Sequence, residues 1–388
     1  MNRVLVTDGR SRASLAIVRS LGKRGIEVTS GEAFWCSSFY SKYTAKKLVY
    51  PAPDKQPELF LKTIIETLKK DMYDIVMPVR DDANLILAKH KNELSRFTQI
   101  PIADYDTLMK GRDKAQTLKV AMDNGIPCPQ TYFIECDDDL KGILNKLKYP
   151  TVIKPHRSSG SRGIKYVQSS KELLQAYSEV RNRYGATMLQ EFIPQGGAYG
   201  VSMLFNCGEP RAIFTHKRLR EYPNSGGPST LRESIRFPEI EGYATALLEA
   251  LDWHGVAMVE FRIDSRDGKP KLMEINPRFW GSLPLAIYAG VDFPYLLYKM
   301  AMDGDVELVF EYKTGVKVRW LLLGDILWFL GLGVPNKLKE LPAFLRFWGT
   351  GYDVLSLRDP MPALGAIIEG LKSMTSKERR SHAFDRGW

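Results

Sequence analysis

Along the first hundred residues, short apolar runs alternate with stretches whose apolar positions recur every three to four residues. Val4-Leu5-Val6, Ile26-Glu27-Val28 and Asp74–Pro78 read as strands. Ser14–Arg24, with Leu15, Val18 and Leu21 on one face and Gly25 as its stop, reads as an amphipathic helix, and so does Glu58–Lys70. This β-α-β-α-β rhythm predicts an α/β amino-terminal domain with a parallel sheet. The turn after the first strand, Asp8-Gly9-Arg10-Ser11-Arg12, lacks the GxGxxG spacing of a dinucleotide fingerprint. The domain therefore reads as a scaffold that lends a loop or two to a neighbouring site.

The pattern changes near residue 107. Arg112–Asn124 is helical and closes at Gly125. Extended segments then dominate, at 151–155, 164–167, 188–193, 201–205, 212–215, 256–264 and 271–276, with helices near 171–183 and 243–251 between them. Hairpins with helices on one side predict an α+β core. From about residue 313 the chain turns tryptophan-rich. Leu338, Leu341, Leu345 and Trp348 recur at helical spacing, which predicts a mostly helical tail.

The segment Glu260–Arg278, EFRIDSRDGKPKLMEINPR, carries the most chemistry. Asp267-Gly268 marks a hairpin, and a three-residue loop with Gly268 left-handed would set Glu260 directly opposite Glu274, with Asn276 on the same face. Two carboxylates about 5 Å apart repel by roughly 3 kcal/mol at an effective dielectric near 20. A divalent cation reverses that sign, and two carboxylates plus an amide oxygen form a hard-cation donor set suited to Mg²⁺. Met258, Phe261, Met273 and Ile275 place these strands in a core rather than on a solvated hairpin. A second motif is Lys154 at the end of a strand, followed by the small-residue loop Ser158-Ser159-Gly160-Ser161-Arg162-Gly163. Such a loop lets backbone amides approach phosphate oxygens. It is no P-loop, because it lacks GKS or GKT and leads into a strand. Arg112-Asp113-Lys114 opens a helix, whose amino end favours anions. Gln190-Glu191-Phe192-Ile193 is extended and able to offer backbone groups to a purine edge. The run Lys217-Arg218-Leu219-Arg220 reads either as a solvated strand edge or as cations facing phosphate or substrate, and the small-residue loop 224–229 follows it.

In this order and spacing the four elements resemble the ATP-grasp superfamily over roughly residues 107–312, most strongly in Met273-Glu274-Ile275-Asn276-Pro277-Arg278. The amino-terminal region also resembles the domain that precedes this core in carboxylate–amine ligases and carbamoyl-phosphate-synthase-like proteins. The resemblance implies a pre-ATP-grasp domain at 1–106 and an ATP-grasp core of two subdomains at 107–312, with a lid at about 112–195. A helical extension follows at 313–388. It implies ATP with Mg²⁺ (or Mn²⁺) as cofactors. Lys114 and Lys154 would contact the phosphates, and Ser158, Ser159, Gly160, Ser161 and Gly163 would cover them. Glu191, Phe192 and Ile193 would lie at the adenine, and Glu260, Glu274 and Asn276 would hold the metal. Arg278, Lys217, Arg218 and Arg220 would act on the transferred group. Family members often hold the ribose with an acidic residue shortly after the adenine strand. The stretch Gly196–Ser202 has none, which leaves that contact unassigned.

Composition narrows the alternatives. The 388 residues are 44% hydrophobic, enough for a large core and too many for a disordered chain. A net charge of +10 invites anionic partners. No helix-turn-helix, zinc-finger or RNP pattern accompanies it, so no nucleic-acid partner is expected. The four cysteines form no CxxC pair and fit a reducing, cytoplasmic setting. MNRVLVTDGR reads as a first strand rather than a signal peptide. The expected activity is a Mg²⁺-dependent ligase that phosphorylates a small carboxylate and joins it to an amine, or less readily a thiol. A catalytically idle ATP-binding module and a basic nucleic-acid-binding protein are the alternatives. The tail reads either as helices that close the core or form a homo-oligomer contact, or as a peripheral membrane-surface patch within 313–388.

Overall fold

The structure, a computed structural model, describes residues 2–158, 162–223 and 227–375. Its first part is the expected α/β unit: β1 (Arg3–Val6), α1 (Arg12–Gly22), β2 (Glu27–Glu32), β3 (Lys46–Val49), α2 (Pro57–Lys70), β4 (Ile75–Met77) and α3 (Asp81–Lys89). The strands are parallel and ordered β3-β2-β1-β4. The chain builds outward from β1 to β3 and then returns to the other side of β1. That reversal makes the carboxyl ends of β1 and β4 a topological switch point, where the loops diverge and leave a crevice.

Helices α4 (Lys91–Leu94) and α5 (Tyr105–Arg112) lead to α6 (Lys114–Asp123). The single helix expected over Arg112–Asn124 is thus split at Asp113. Its carboxylate caps α6, accepting from the amides of Ala115 and Gln116 at 3.1 and 3.2 Å. A four-stranded antiparallel sheet follows, built from β5 (Thr131–Ile134), β6 (Thr151–Pro155), β7 (Lys165–Val167) and β8 (Thr187–Glu191) in the order β5-β8-β6-β7. Helices α7 (Asp137–Ile143) and α8 (Ser170–Tyr184) complete this unit around Ile153, Val167, Leu173 and Leu189.

The largest sheet has seven strands. β9 (Gln195–Asn206), β10 (Glu209–Glu221) and β11 (Ser229–Ile235) form a meander, and α9 (Pro238–Ala250) leads to the hairpin β12 (Gly255–Asp264) and β13 (Pro270–Asn276). Past α10 (Leu283–Ala289) and α11 (Phe293–Asp303), β14 (Lys317–Arg319) and β15 (Gly351–Tyr352) complete the order β13-β12-β9-β10-β11-β14-β15. One face buries Tyr199, Val201, Met203, Val259 and Phe261 with α9 and Trp253. The other buries Phe214, Val256 and Met258 with Trp280, α10 and α11.

The carboxy-terminal region is largely helical, with α12 (Ile326–Leu330), α13 (Val334–Phe344) and α14 (Met361–Thr375). The compositional break near residue 313 is nevertheless no break in the fold, because β14 pairs with β11 and extends the large sheet. Asp353 ties this region to the first helix and to the large sheet: its Oδ2 lies 2.5 Å from Arg12 Nη1 on α1, and its Oδ1 meets Arg232 on β11. Arg19 of α1 reaches Asp359 at 2.8 Å. Among the described residues no helix is long and apolar enough to cross a membrane.

Candidate active site

Glu260 and Glu274 do stand opposite one another, but by a route the turn alone does not predict. The strands close at Asp264, whose amide donates to the Lys269 carbonyl at 2.9 Å. The loop is therefore one residue longer than expected, although Gly268 does take the left-handed conformation at φ +69°. A bulge at Met273, between the pairs Phe261–Leu272 and Glu260–Glu274, restores the register. The two deviations cancel. Asn276 shares the face, and its Nδ2 donates to Glu260 Oε1 at 2.9 Å.

Cations from three other elements converge on this pair. Lys114, the first residue of α6, places Nζ 3.0 Å from Glu274 Oε2 and donates to the Ser158 carbonyl at 2.7 Å. Arg218 on β10 sets Nη2 2.5 Å from Glu260 Oε2 and Nη1 3.2 Å from Glu221. Lys154 on β6 donates to Gln190 Oε1 at 2.6 Å. Burial pushes Lys154 down to about 8, with Glu274 opposing and Lys114 adding to the shift. Burial also raises Glu260, against Arg218 and with help from Glu274. At Glu274 burial acts in the same direction, but Lys114, Lys154 and Arg218 outweigh it and hold the carboxyl below its ordinary value. The cations around Glu274 thus favour its charged form, while burial works against the charge of Glu260 despite its pairing with Arg218. Two facing carboxylates are donors a small hard cation takes, and they would hold Mg²⁺ with water and phosphate oxygens completing its shell; the Asn276 amide turns its nitrogen to Glu260 and its oxygen to Arg278, so Asn276 would join them with that amide reversed.

Arg278 connects the hairpin to the switch point of the first sheet. Its Nε lies 3.0 Å from Asp81 Oδ1 in the first turn of α3, and its Nη2 donates to Asn276 Oδ1 at 3.2 Å. Beside Asp81 stands Arg80, which makes no ion pair among the described residues. Burial and the nearby Arg10 lower its pKa. Arg10 lies 3.8 Å from Glu32, and its buried Nε has no hydrogen-bond partner. Asp8, at φ +58°, binds the two loops together by accepting from the Arg80 amide at 3.0 Å. Arg10, Arg80 and Asp81 carry no motif in the sequence. Only the strand order brings them to one crevice.

The basic run on β10 is divided. Arg218 joins the site. Lys217 lies on the opposite face of the sheet, beside Tyr199 with Nζ 5.8 Å from its ring centroid, and so points away from the carboxylates. A bulge at Leu219 turns Arg220 into the protein, where it pairs with Asp325 at 3.0 Å and Glu340 at 3.2 Å and lies 4.0 Å over Trp328. Arg220 is held by structure and is not free for substrate. His216, unmarked in the sequence, is buried beside Gly200, where an added Cβ would come within 2.5 Å of the ring. Burial, with Arg218 and Arg232, pushes it down to about 3, so it stays neutral.

At the expected adenine edge, the Glu191 amide already donates to the Gln130 carbonyl at 2.9 Å, and the Glu191 side chain holds the Gln130 amide and Arg266. Only its carbonyl is left for a base. Phe192 meets Tyr166 edge-on at 5.8 Å, and Ile193 is buried. Gly163 is left-handed at φ +73°. Ser159, Gly160 and Ser161 lie outside the described residues, as do positions 224–226 of the second small-residue loop.

Known proteins resemble this chain in sequence and in fold. A family model described as an ATP-grasp domain in the biosynthetic pathway with the Ter operon matches residues 184–322, and a RimK-like ATP-grasp domain matches 111–206. The chain is 30% identical over 215 residues to a D-alanine–D-alanine ligase of Carboxydothermus hydrogenoformans, covering 50% of this chain and 68% of that protein. Among solved structures, biotin carboxylase of Campylobacter jejuni matches with a TM-score of 0.70 at 15% identity, covering 81% of this chain and 74% of that one. The biotin carboxylase domain of Hydrogenobacter thermophilus 2-oxoglutarate carboxylase, solved with MgADP and bicarbonate, matches with a TM-score of 0.68 at 15% identity, covering 81% and 73%. The two structures share the fold, and the sequence match reaches further: the chain belongs to the ATP-grasp superfamily, whose cofactors are ATP and Mg²⁺.

Proposed function

We propose that the protein is an ATP-dependent ligase that activates a small carboxylate as an acyl phosphate and joins it to an amine. The observation that carries this reading is the convergence of Glu260, Glu274 and Asn276 with Lys114, Lys154, Arg218 and Arg278. When bound there, Mg²⁺ would draw charge from the phosphate oxygens. Lys114 and Lys154 would hold the triphosphate between the β5–β8 sheet and the large sheet. This assigns residues 107–312 to nucleotide binding, with 1–106 before and 313–388 after them. The cluster of Arg10, Arg80 and Arg278 suits the carboxylate substrate, because a carboxylate approaching ATP must be held by cations of its own. In the first step a carboxylate oxygen bonds to the γ-phosphorus as the bond to ADP breaks. In the second the amine nitrogen bonds to the acyl carbon as phosphate leaves, and the nitrogen loses a proton. Arg278 would stabilise charge on the phosphoryl and acyl oxygens. An amine acceptor is in keeping with the D-alanine–D-alanine ligase relative, and the four unpaired cysteines with a cytoplasmic setting.

The test is ADP release across a panel of carboxylates and amines, comparing the natural chain with Glu274→Gln. Turnover should fall about 100-fold or more, the scale on which a group stabilising transition-state charge acts. Turnover at the natural rate in the variant would remove Glu274 from the site. Nucleotide binding without ADP release for any acceptor pair would point to an idle module.

A further inference from the structure

Helix α13 has its apolar side outward. None of its 11 residues is buried, yet a helix this short is marginal in water unless an apolar face is packed. Its inner side is held by Glu340, 3.2 Å from Arg220, and by Phe344, which stacks on Phe329 with centroids 4.3 Å apart and lies under Arg319. On the outer side Val334, Leu338, Leu341 and Leu345 follow at intervals of four, three and four residues, which is one stripe of helix surface. They are exposed by 70, 70, 38 and 51%, and Trp348 just beyond them by 82%. Half of the large hydrophobic side chains exposed among the described residues lie between Ile326 and Leu371. Val334, Leu338, Leu341 and Leu345 form one contiguous stripe among them, and such a stripe marks an interaction surface rather than ordinary scatter.

The surrounding charges select the partner. Lys337 and Lys339 flank Leu338, and Arg346 follows Leu345. Glu340, the only acidic residue in positions 331–349, is turned inward to Arg220. A second copy docking through the same patch about a two-fold axis would bring these cations against their own kind. An anionic lipid surface attracts them and takes up the apolar stripe at the same time, and tryptophan suits the depth of the headgroups. We propose that α13, with Trp348 and the flanking cations, docks the protein on an anionic membrane, the helix lying in the plane of the interface. Arg220, which anchors the helix, is two residues from Arg218 at the candidate active site. Strand β10 therefore touches both this helix and the candidate active site.

The experiment is co-sedimentation of the full chain with vesicles of phosphatidylcholine alone or mixed with phosphatidylglycerol, at low and high salt. Binding should require phosphatidylglycerol and weaken with salt. Lys337→Gln with Lys339→Gln should lower the partition coefficient about 25-fold, roughly fivefold for each cation removed. Val334→Asp with Leu338→Asp should lower it at least as far, while thermal unfolding stays unchanged because both side chains are exposed. No binding to anionic vesicles at low salt would overturn the proposal, and so would equal binding by the variants. A dimer that Val334→Asp with Leu338→Asp converts to monomer, in a chain that ignores vesicles, would assign the face to a second copy instead.

Discussion

Raising the pH through the titration of Lys154 should weaken nucleotide binding before it disturbs the rest of the site. Burial lowers this ammonium from 10.5 to about 8, and the negative charge of Glu274 keeps it from falling further. A bound triphosphate adds negative charge beside Lys154 and raises its pKa again, so binding takes up a proton. Above about pH 8 the free protein carries a neutral amine, and affinity declines until the pH reaches the pKa of the complex. Between about pH 7 and about pH 9 the protonated fraction drops from roughly ten-elevenths to roughly one-eleventh. The dissociation constant for ATP should therefore rise about tenfold, or ~1.4 kcal/mol. Calorimetric titration with a non-hydrolysable ATP analogue and Mg²⁺, in buffers of different ionisation heat, reads both the affinity and the proton uptake. Lys154→Arg should flatten the profile, since a guanidinium keeps its charge throughout this range. Glu274→Gln should move the bend to lower pH, because the supporting charge is gone. An affinity that stays level to about pH 9.5 in the natural protein would refute the placement of Lys154 against the phosphates, and so would an unchanged bend in Lys154→Arg.

Two further outcomes follow from buried charge. Asp353→Ala leaves the guanidiniums of Arg12 and Arg232 buried without their shared partner, and urea unfolding should show a loss of about 3–5 kcal/mol; a loss below about 1 kcal/mol would mean that water or another carboxylate replaces Asp353. Arg80→Ala, in the crevice at the ends of β1 and β4, should raise the KM of the carboxylate substrate by the equivalent of about 1.5–3 kcal/mol and leave that of ATP unchanged; a parallel rise for ATP would place Arg80 at the nucleotide instead.

Local pattern was enough to reveal the hairpin and to set its two carboxylates opposite one another. Glu260 and Glu274 face one another as the turn residues imply, although a longer loop and a bulge at Met273 each displaced the register by one residue and cancelled. The strand that delivers Lys154 and the β-α alternation of the first domain were legible for the same reason, and Arg112-Asp113-Lys114 reads as a helix start although the helix that Asp113 caps begins only at Lys114. Capping, turn chemistry and hydrophobic period act over a few residues and are written in consecutive positions. The run Lys217–Arg220 shows where that reach ends. Strand alternation turns Lys217 to the other face, and a bulge at Leu219 sends Arg220 to Asp325 and Glu340, more than a hundred residues away. Neither the bulge nor the partners leave a mark beside Arg220 in the chain.

Consecutive residues specify the kinds of elements and the residue types they carry: a carboxylate hairpin, a lysine-bearing strand and a surplus of positive charge. Tertiary structure alone decided which cations reach the carboxylates. It placed Arg10 and Arg80 beside Arg278 through the strand order β3-β2-β1-β4. It also joined the carboxy-terminal region to α1 through Asp353, 341 positions from Arg12. The physical reason is that backbone preference is a property of neighbours along the chain. The energy of a buried charge depends on whichever opposite charge the fold brings within a few ångströms.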